Sequence, residues 1–383
     1  MPEARLPERL PISASTQWTL KAQATQFEAS DAIPVRALSG DWAAYSPRKS
    51  DNARNVALQS ARLEVSASKG PWEVSTAVRS DIVISGARGA FDVVHAYKQK
   101  QEPASGSNFE LNANEQGVIW AGLRGARTWV LNPGTDHGVQ LTAAAALLSV
   151  RRVQLTTVNG TAGYDGAAGF NFNAQTLRQD SHVEFGGYGQ PNTTGNGYTT
   201  DFGLLWQPTA RSFVNVSVSD AFSRLTVRSV ATEEINASST TRLFDASGYL
   251  DYRPLLNGRN SSQDLTLKLL RKWSLSAGVQ LDEPTWKSTT ATTATTATTA
   301  TMVGARWENV GGINIPSLWA SMPLPLPLWP QAGLALQVDA DTRFKSVGVG
   351  LSSRFGSLML RSQSASVSAS RALGWQAALN WAW

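Results

Sequence analysis

The 383 residues are 42% hydrophobic and 16% charged, with a net charge of +5 and no cysteine, which excludes a disulfide framework and thiolate metal sites. Basic and acidic residues are spread along the chain, so it lacks the clustered footprint of a nucleic-acid binder, and His95, His137 and His182 show no metal-ligand spacing. Mean hydropathy is −0.21, and the most apolar stretch, TAAAALLSV at 142–150, falls well short of the ~20 residues of a spanning helix.

Residues 1–14 have no apolar segment of signal-peptide type and read as an N-terminal extension; an exported chain would already have lost its leader. From 15 to 383, period-2 alternation recurs and helical periodicity is hard to find. ARLEVSAS sets Leu63 and Val65 against Arg62 and Glu64, and WEVSTAVRSDIVI sets Val74, Val78, Ile82 and Ile84 against Glu73, Arg79 and Asp81. GFNFNAQ, TDFGLLW and FVNVSVS continue the pattern, and RLTVRS puts Arg224, Thr226 and Arg228 on one face. DLTLKLL places Leu265, Leu267 and Leu269 opposite Asp264, Thr266 and Lys268, and with SLSAGVQL across the short RKW it reads as a tight hairpin. Residues 288–302 form a Thr/Ala-rich loop, and ARWE brings Arg306 and Glu308 together. The segment 309–331, with Pro323, Pro325 and Pro327, reads as a Pro-rich loop in the lumen or at a rim, because proline cannot donate to a ladder. AGLALQVDAD and SVGVGLSSR make a further pair, followed by strands after FG and RALG.

Such alternation gives each strand one apolar and one wet side. Tight connections (KGP, GARG, RK) mix with long polar ones (KQKQEPASGSN, GQPNTTGNG, 283–301). An all-β chain of this kind fits a single closed antiparallel transmembrane β-barrel with short periplasmic turns and long external loops, and about 24–27 residues per strand and connection gives about 14–16 strands. A soluble β-sandwich alternates too, but at this length it would usually split. Trp18, Trp72, Trp129, Trp206 and Trp307 near strand ends suit interfacial girdles.

The chain ends GWQAALNWAW, with Trp375, Ala377, Leu379, Trp381 and Trp383 at alternate positions. This resembles the C-terminal signature of Gram-negative outer-membrane β-barrel proteins, a porin-like superfamily, in its alternating apolar residues and final aromatic. The motif marks a class and no specific family, and it departs from the commoner form in a terminal Trp and in the small Ala378 and Ala382. The resemblance implies a barrel-assembly signal at Trp375, Leu379, Trp381 and Trp383, read by the barrel-assembly machinery, and a last strand that closes on the first. It also implies residence in the bacterial outer membrane, in contact with lipid bilayer and lipopolysaccharide.

Charged residues on the wet faces are taken as lumen-facing: Lys21, Arg62, Arg79, Arg224, Arg228, Lys268, Arg306 and Arg354 against Glu64, Glu73, Asp81, Glu184, Asp201, Asp245, Asp251, Asp264 and Glu308. Their near balance predicts a transverse field more than anion selectivity, or cross-strand pairs that plug a narrower barrel. The expected function is a porin-like transport channel that passes hydrophilic solutes or polymer through a polar Arg/carboxylate-lined lumen. Its selectivity candidates are Arg62, Arg79, Asp81, Arg224, Arg228, Lys268, Arg306, Glu308 and Glu184. Two alternatives stay open: a barrel domain or subunit of a polysaccharide or protein export system, and a surface adhesin or partner-binding scaffold. No G-x-S-x-G, H-E-x-x-H or P-loop motif occurs, so neither enzymatic activity nor a cofactor is expected, and His182 beside Glu184 reads as a lumen histidine in a polar network.

Overall fold

The computed structural model describes residues 17–382, apart from 39, 41, 48–53, 132–136, 168, 191, 241, 245–249, 253–254, 282–299 and 325–332. Alternating side chains and tight turns fold the chain into consecutive antiparallel strands. The first are β1 (Thr19–Ser30), β2 (Asn55–Lys69) and β3 (Trp72–Gly86). A helix α1 (Arg88–Gln99) and the short β4 (Ser107–Glu110) follow, then β5 (Ala113–Leu131) and β6 (Val139–Asp165). Next come β7 (Gly169–Asp180), β8 (Gly195–Thr209) and β9 (Ser212–Ser238). A small separate hairpin, β10 (Arg242–Phe244) with β11 (Leu250–Tyr252), precedes β12 (Leu256–Leu267) and β13 (Lys272–Gln280). The rest are β14 (Met302–Val310), β15 (Ile313–Pro323), β16 (Ala335–Asp341), β17 (Val347–Ser353), β18 (Gly356–Ser362) and β19 (Ala372–Ala382).

β19 pairs with β1 from Thr19↔Ala382 to Ala29↔Ala372, and β1 pairs with β2, so the sheet closes on itself. β7 and β8 share one place in the ring, because each pairs with both β6 and β9. β12 and β13 likewise share the place after β9. The result is a closed antiparallel barrel of 14 strands. Among the described residues, closure leaves the ring without an end stave and pairs its backbone internally, the condition for a β-structure to sit in hydrocarbon. Outward positions are apolar and exposed over much of the wall, among them Leu63, Val78, Leu123, Leu147, Phe222, Leu318 and Leu360.

Wall height is uneven. β6 and β9 run for 27 residues each, whereas β16, β17 and β18 have 7. The long strands therefore rise well beyond the height of the short ones. We call the rim bearing Thr19 and Ala382 the termini end and the opposite rim the loop end. At the loop end, Ala32, Ile33 and Trp42 pack against Phe91 of α1. This helix is absent from the period-2 reading.

Two expectations need correction. β12 and β13 are two halves of one stave and not a hairpin, since both run beside β9 and the RKW segment interrupts the stave. Ile313–Pro323 belongs to the wall, not to a loop: Ile313, Ile315, Ser317, Trp319 and Ser321 are buried while the residues between them face out. Pro323 is tolerated as the strand's last residue; Pro325 and Pro327 lie outside the described residues. The Thr/Ala segment lies mostly outside the described residues; Gln280 and Met302, which flank it, pair at the termini end.

Candidate functional site

Period-2 geometry aims Arg79 and Asp81, two residues apart on β3, into the lumen, where they bond each other. Asp81 also accepts hydrogen bonds from Ser60 Oγ of β2 at 2.7 Å and from Lys272 Nζ of β13 at 2.7 Å. Arg79 Nη2 lies 2.8 Å from Asp220 Oδ2 of β9, and Thr199 of β8 donates to the same carboxylate at 3.0 Å. The Arg79 guanidinium sits 5.7 Å from the Trp120 ring. All these side chains are buried. They come from both walls, so a charged bridge spans the lumen with its partners matched, as buried ions require.

Asp220 reaches the bridge because β9 bulges there. β8 advances two residues, from Thr200 to Phe202, while β9 advances from Phe222 to Val218, and Asp220 adopts φ +57°. Its N–H donates to Asp201 Oδ1 at 3.0 Å. Asp201 in turn pairs with Arg124 at 3.1 Å, and Arg124 with Glu73 at 2.7 Å, which continues the charged tier toward the termini end.

Toward the loop end the lumen changes character. Val118 and Trp120 of β5, Leu148, Val150 and Val153 of β6, Leu225, Val227 and Val230 of β9, and Leu269 make one apolar cluster, with Leu265 and Leu267 against it. A second holds Phe27, Leu58, Val83, Ile313, Ile315 and Phe344. The lumen is thus apolar above the bridge and charged below it.

Two breaks mark the tall wall. Residues 268–271 turn inward between β12 and β13: Gln116 of β5 donates to the Lys268 carbonyl at 2.9 Å, and the Leu269 N–H donates to Ser223 Oγ at 2.9 Å. A cavity of about 650 Å³ opens there, lined by Gln116, Leu155, Ser223 and Leu267 and also by Tyr198, Arg224, Thr266 and Lys268. Between β7 and β8 the chain leaves the wall, and residues 181–190 fold back as a small hairpin through Phe185 and Tyr188, with Arg178 over the Phe185 ring at 4.9 Å.

The structure brings Arg79 and Asp81 into the bridge, and places Arg62 with Glu64 (2.9 Å) and Arg306 with Glu308 (3.6 Å) on the inner face. Arg224, Arg228, Lys268 and Asp264 are corrected to the outer face. Arg224 and Arg228 share a face with the exposed Phe222 and alternate with the buried Leu225 and Val227; Lys268 and Asp264 alternate with the inward Leu265, Leu267 and Leu269. The reason is that this part of the wall has an apolar core inside and polar surroundings outside. Glu184 is exposed in the 181–190 hairpin, and Arg354 is exposed at the β17–β18 turn, 4.4 Å from the Phe355 ring. Asp245 lies outside the described residues, and Asp251 lies on the separate hairpin. Trp375, Leu379 and Trp381 face outward on β19, the Trp375 Nε1 donating to Gln26 at 3.1 Å; Trp383 lies outside the described residues. His182 is exposed, and its N–H donates to Asp180 at 2.8 Å.

Lys272, Asp220, Arg124 and Arg361 were not singled out by the sequence. Continuing SLSAGVQL back two residues would have put Lys272 on the inner face with Ser274 and Ser276, and LML would have done the same for Arg361. Asp220 had no such signal, because only the bulge turns it inward.

No protein-family model matches the chain, and no curated protein does. Among solved structures, similar folds include a deletion mutant of the TodX monoaromatic hydrocarbon channel, with TM-score 0.44, 9% identity, and 96% of this chain and 89% of that chain covered. The Ralstonia pickettii toluene transporter TbuX gives 0.43, 8%, 95% and 88%. The Pseudomonas putida toluene transporter TodX gives 0.39, 9%, 96% and 87%. Closure, an even strand number and an outward apolar surface are the features of a transmembrane β-barrel.

Proposed function

We propose that the barrel is an outer-membrane transport channel that is closed at rest by its own side chains and passes small amphipathic solutes. The observation that carries this reading is the two-tier lumen: an apolar cluster that includes Trp120, Leu148 and Leu225 stands directly on the bridge of Arg79, Asp81, Asp220 and Lys272. A standing aqueous pore would line its whole length with polar groups. Here an apolar body would be accommodated above the bridge, and a polar group would exchange with the bridge ions below. The lower tier, where Arg124, Glu73, Asp201, Arg62 and Glu64 offer charges of both signs, supports passage of the solute's polar group.

Uptake into proteoliposomes tests the solute class. Benzoate is expected to enter faster than a sugar of comparable size, and equal rates would overturn the amphipathic reading. Planar-bilayer recording tests the closure. The native barrel is expected to be electrically quiet, and Arg79→Ala with Asp81→Ala should give stepwise currents. A wide steady conductance from the native protein would sink the closed-channel reading.

A further inference from the structure

Outside the lumen, one sector of the wall departs from the apolar pattern at a defined height. Residues 139–149 of β6, 198–209 of β8 and 212–222 of β9 each span 11 or 12 residues from the termini end, about the 9–11 that a tilted strand needs to cross a bilayer. Over those lengths the outer faces carry residues such as Leu141, Leu147, Leu204, Phe202, Val216 and Phe222. Immediately beyond, they turn basic: Arg151 on β6, Arg224 and Arg228 on β9, and Lys268 after β12, all exposed.

Register gathers these cations. Leu147 pairs with Tyr198 and Tyr198 with Arg224, while Thr226 pairs with Thr266, so Lys268 follows beside Arg224. With strands about 4.8 Å apart and a rise of about 3.3 Å per residue, the three arginine positions fall within about 15 Å. Arg152 next to them is paired with Asp180 at 3.0 Å, whereas Arg151, Arg224, Arg228 and Lys268 have no ion pair among the described residues. The cluster is not a general feature of the rim, since the outward positions toward the loop end of β3 are Ser80, Ile82 and Ile84. Asp264, the outward carboxylate beside Arg228, accepts from the Ser229 N–H and makes no ion pair with these cations; four cations at the edge of a bilayer slab repel one another unless an anion joins them, and a headgroup phosphate lies at that depth.

We propose that Arg151, Arg224, Arg228 and Lys268 form a docking patch for phosphorylated lipid headgroups in the leaflet at the loop end. The patch rests on the barrel spanning a bilayer and is independent of whether the lumen conducts. The folded barrel would be placed in phosphatidylcholine micelles doped with lipid A carrying two phosphates, or with its dephosphorylated form, and bound lipid counted by native mass spectrometry. The native chain is expected to retain the phosphorylated lipid about tenfold or more over the dephosphorylated one. Arg151→Gln with Arg224→Gln and Arg228→Gln should abolish that preference, while Arg127→Gln, an outward change at the termini end, should keep it. Heat-modifiable migration checks that each variant is folded, and Arg228→Gln alone reads a partial loss if the triple variant is not. Equal retention of both lipids, an unchanged preference in the triple variant, or displacement by excess inorganic phosphate would each overturn the patch.

Discussion

Removing Asp81 would leave Arg79 and Lys272 in the lumen with Asp220 as the remaining carboxylate of the bridge. Breaking a buried ion set by deleting one partner costs about 3–5 kcal/mol, while replacing the whole set with apolar side chains of similar volume is often neutral or stabilising. Asp81→Ala is therefore expected to lower the urea stability of the lipid-folded barrel by that amount. Arg79→Met, Asp81→Leu and Lys272→Met together should recover most of it. A full loss in the triple variant would mean that the bridge is needed for folding and is not just internally balanced. Tyr45 supplies a second residue-scale test, in the cap beyond the membrane. It stacks on Trp42 at 6.0 Å and His95 at 4.7 Å and donates to Asp92 at 2.7 Å. Burial first, and then the bond to Asp92, raises the Tyr45 hydroxyl above its ordinary value of 10.0. A raised value means that the neutral form is favoured on folding, so its contribution is whole below pH 10 and falls as pH rises toward the raised value. Trp42 fluorescence should therefore report a docked cap through neutral and mildly alkaline pH and release only above about 10; Tyr45→Phe should remove that alkaline step.

Among the elements, the outer faces of β8 and β9 make a depth gauge. Leu204→Arg, in the middle of the bilayer-length stretch of β8, is expected to cost about 2–4 kcal/mol in vesicles, and Tyr198→Arg at its edge about 0–1 kcal/mol. Equal and small effects at both sites would refute lipid contact. The same boundary explains what could be read from the sequence. Alternation assigned two faces correctly to β2, β3, β14 and β19, and it set Trp375, Leu379 and Trp381 outward. It could not say which face of β9 or β12 was inside, because period 2 separates faces without labelling them. Where the wall outlasts the slab, water meets the outer side, and apolar Leu225, Val227, Leu265 and Leu267 take the inner one. The bulge at Asp220 and the inward turn at 268–271 are tertiary devices with no local pattern, so the centre of the bridge and the cavity stayed hidden.

For the molecule as a whole, tall and short staves divide the labour. β5 to β9 carry the apolar cluster, the broken wall and the basic patch, while β14 to β19 form a lower wall with Arg361 held between Asp339 and Asp341. Gly348 on β17 makes room for that pair, since a Cβ there would lie against the Asp339 carboxylate. Gly348→Val is thus expected to break the Asp339–Arg361 contact and lower the unfolding temperature of the folded barrel, with a smaller effect from Gly348→Ala.

The seam between β1 and β19 makes the first and last strands neighbours in register over their length. The ring therefore has no intrinsic first strand, and the order in which the chain threads it is separable from the shape it reaches. A circular permutant with residues 17 and 383 bridged by a short linker and opened at Gly70–Pro71 would keep every stave but finish on β2. It should refold in detergent with native heat-modifiable migration. If Trp375, Leu379 and Trp381 serve assembly only when they close the chain, the permutant should fail to insert in cells; insertion at the native level would show that their outward tryptophans serve the lipid boundary alone.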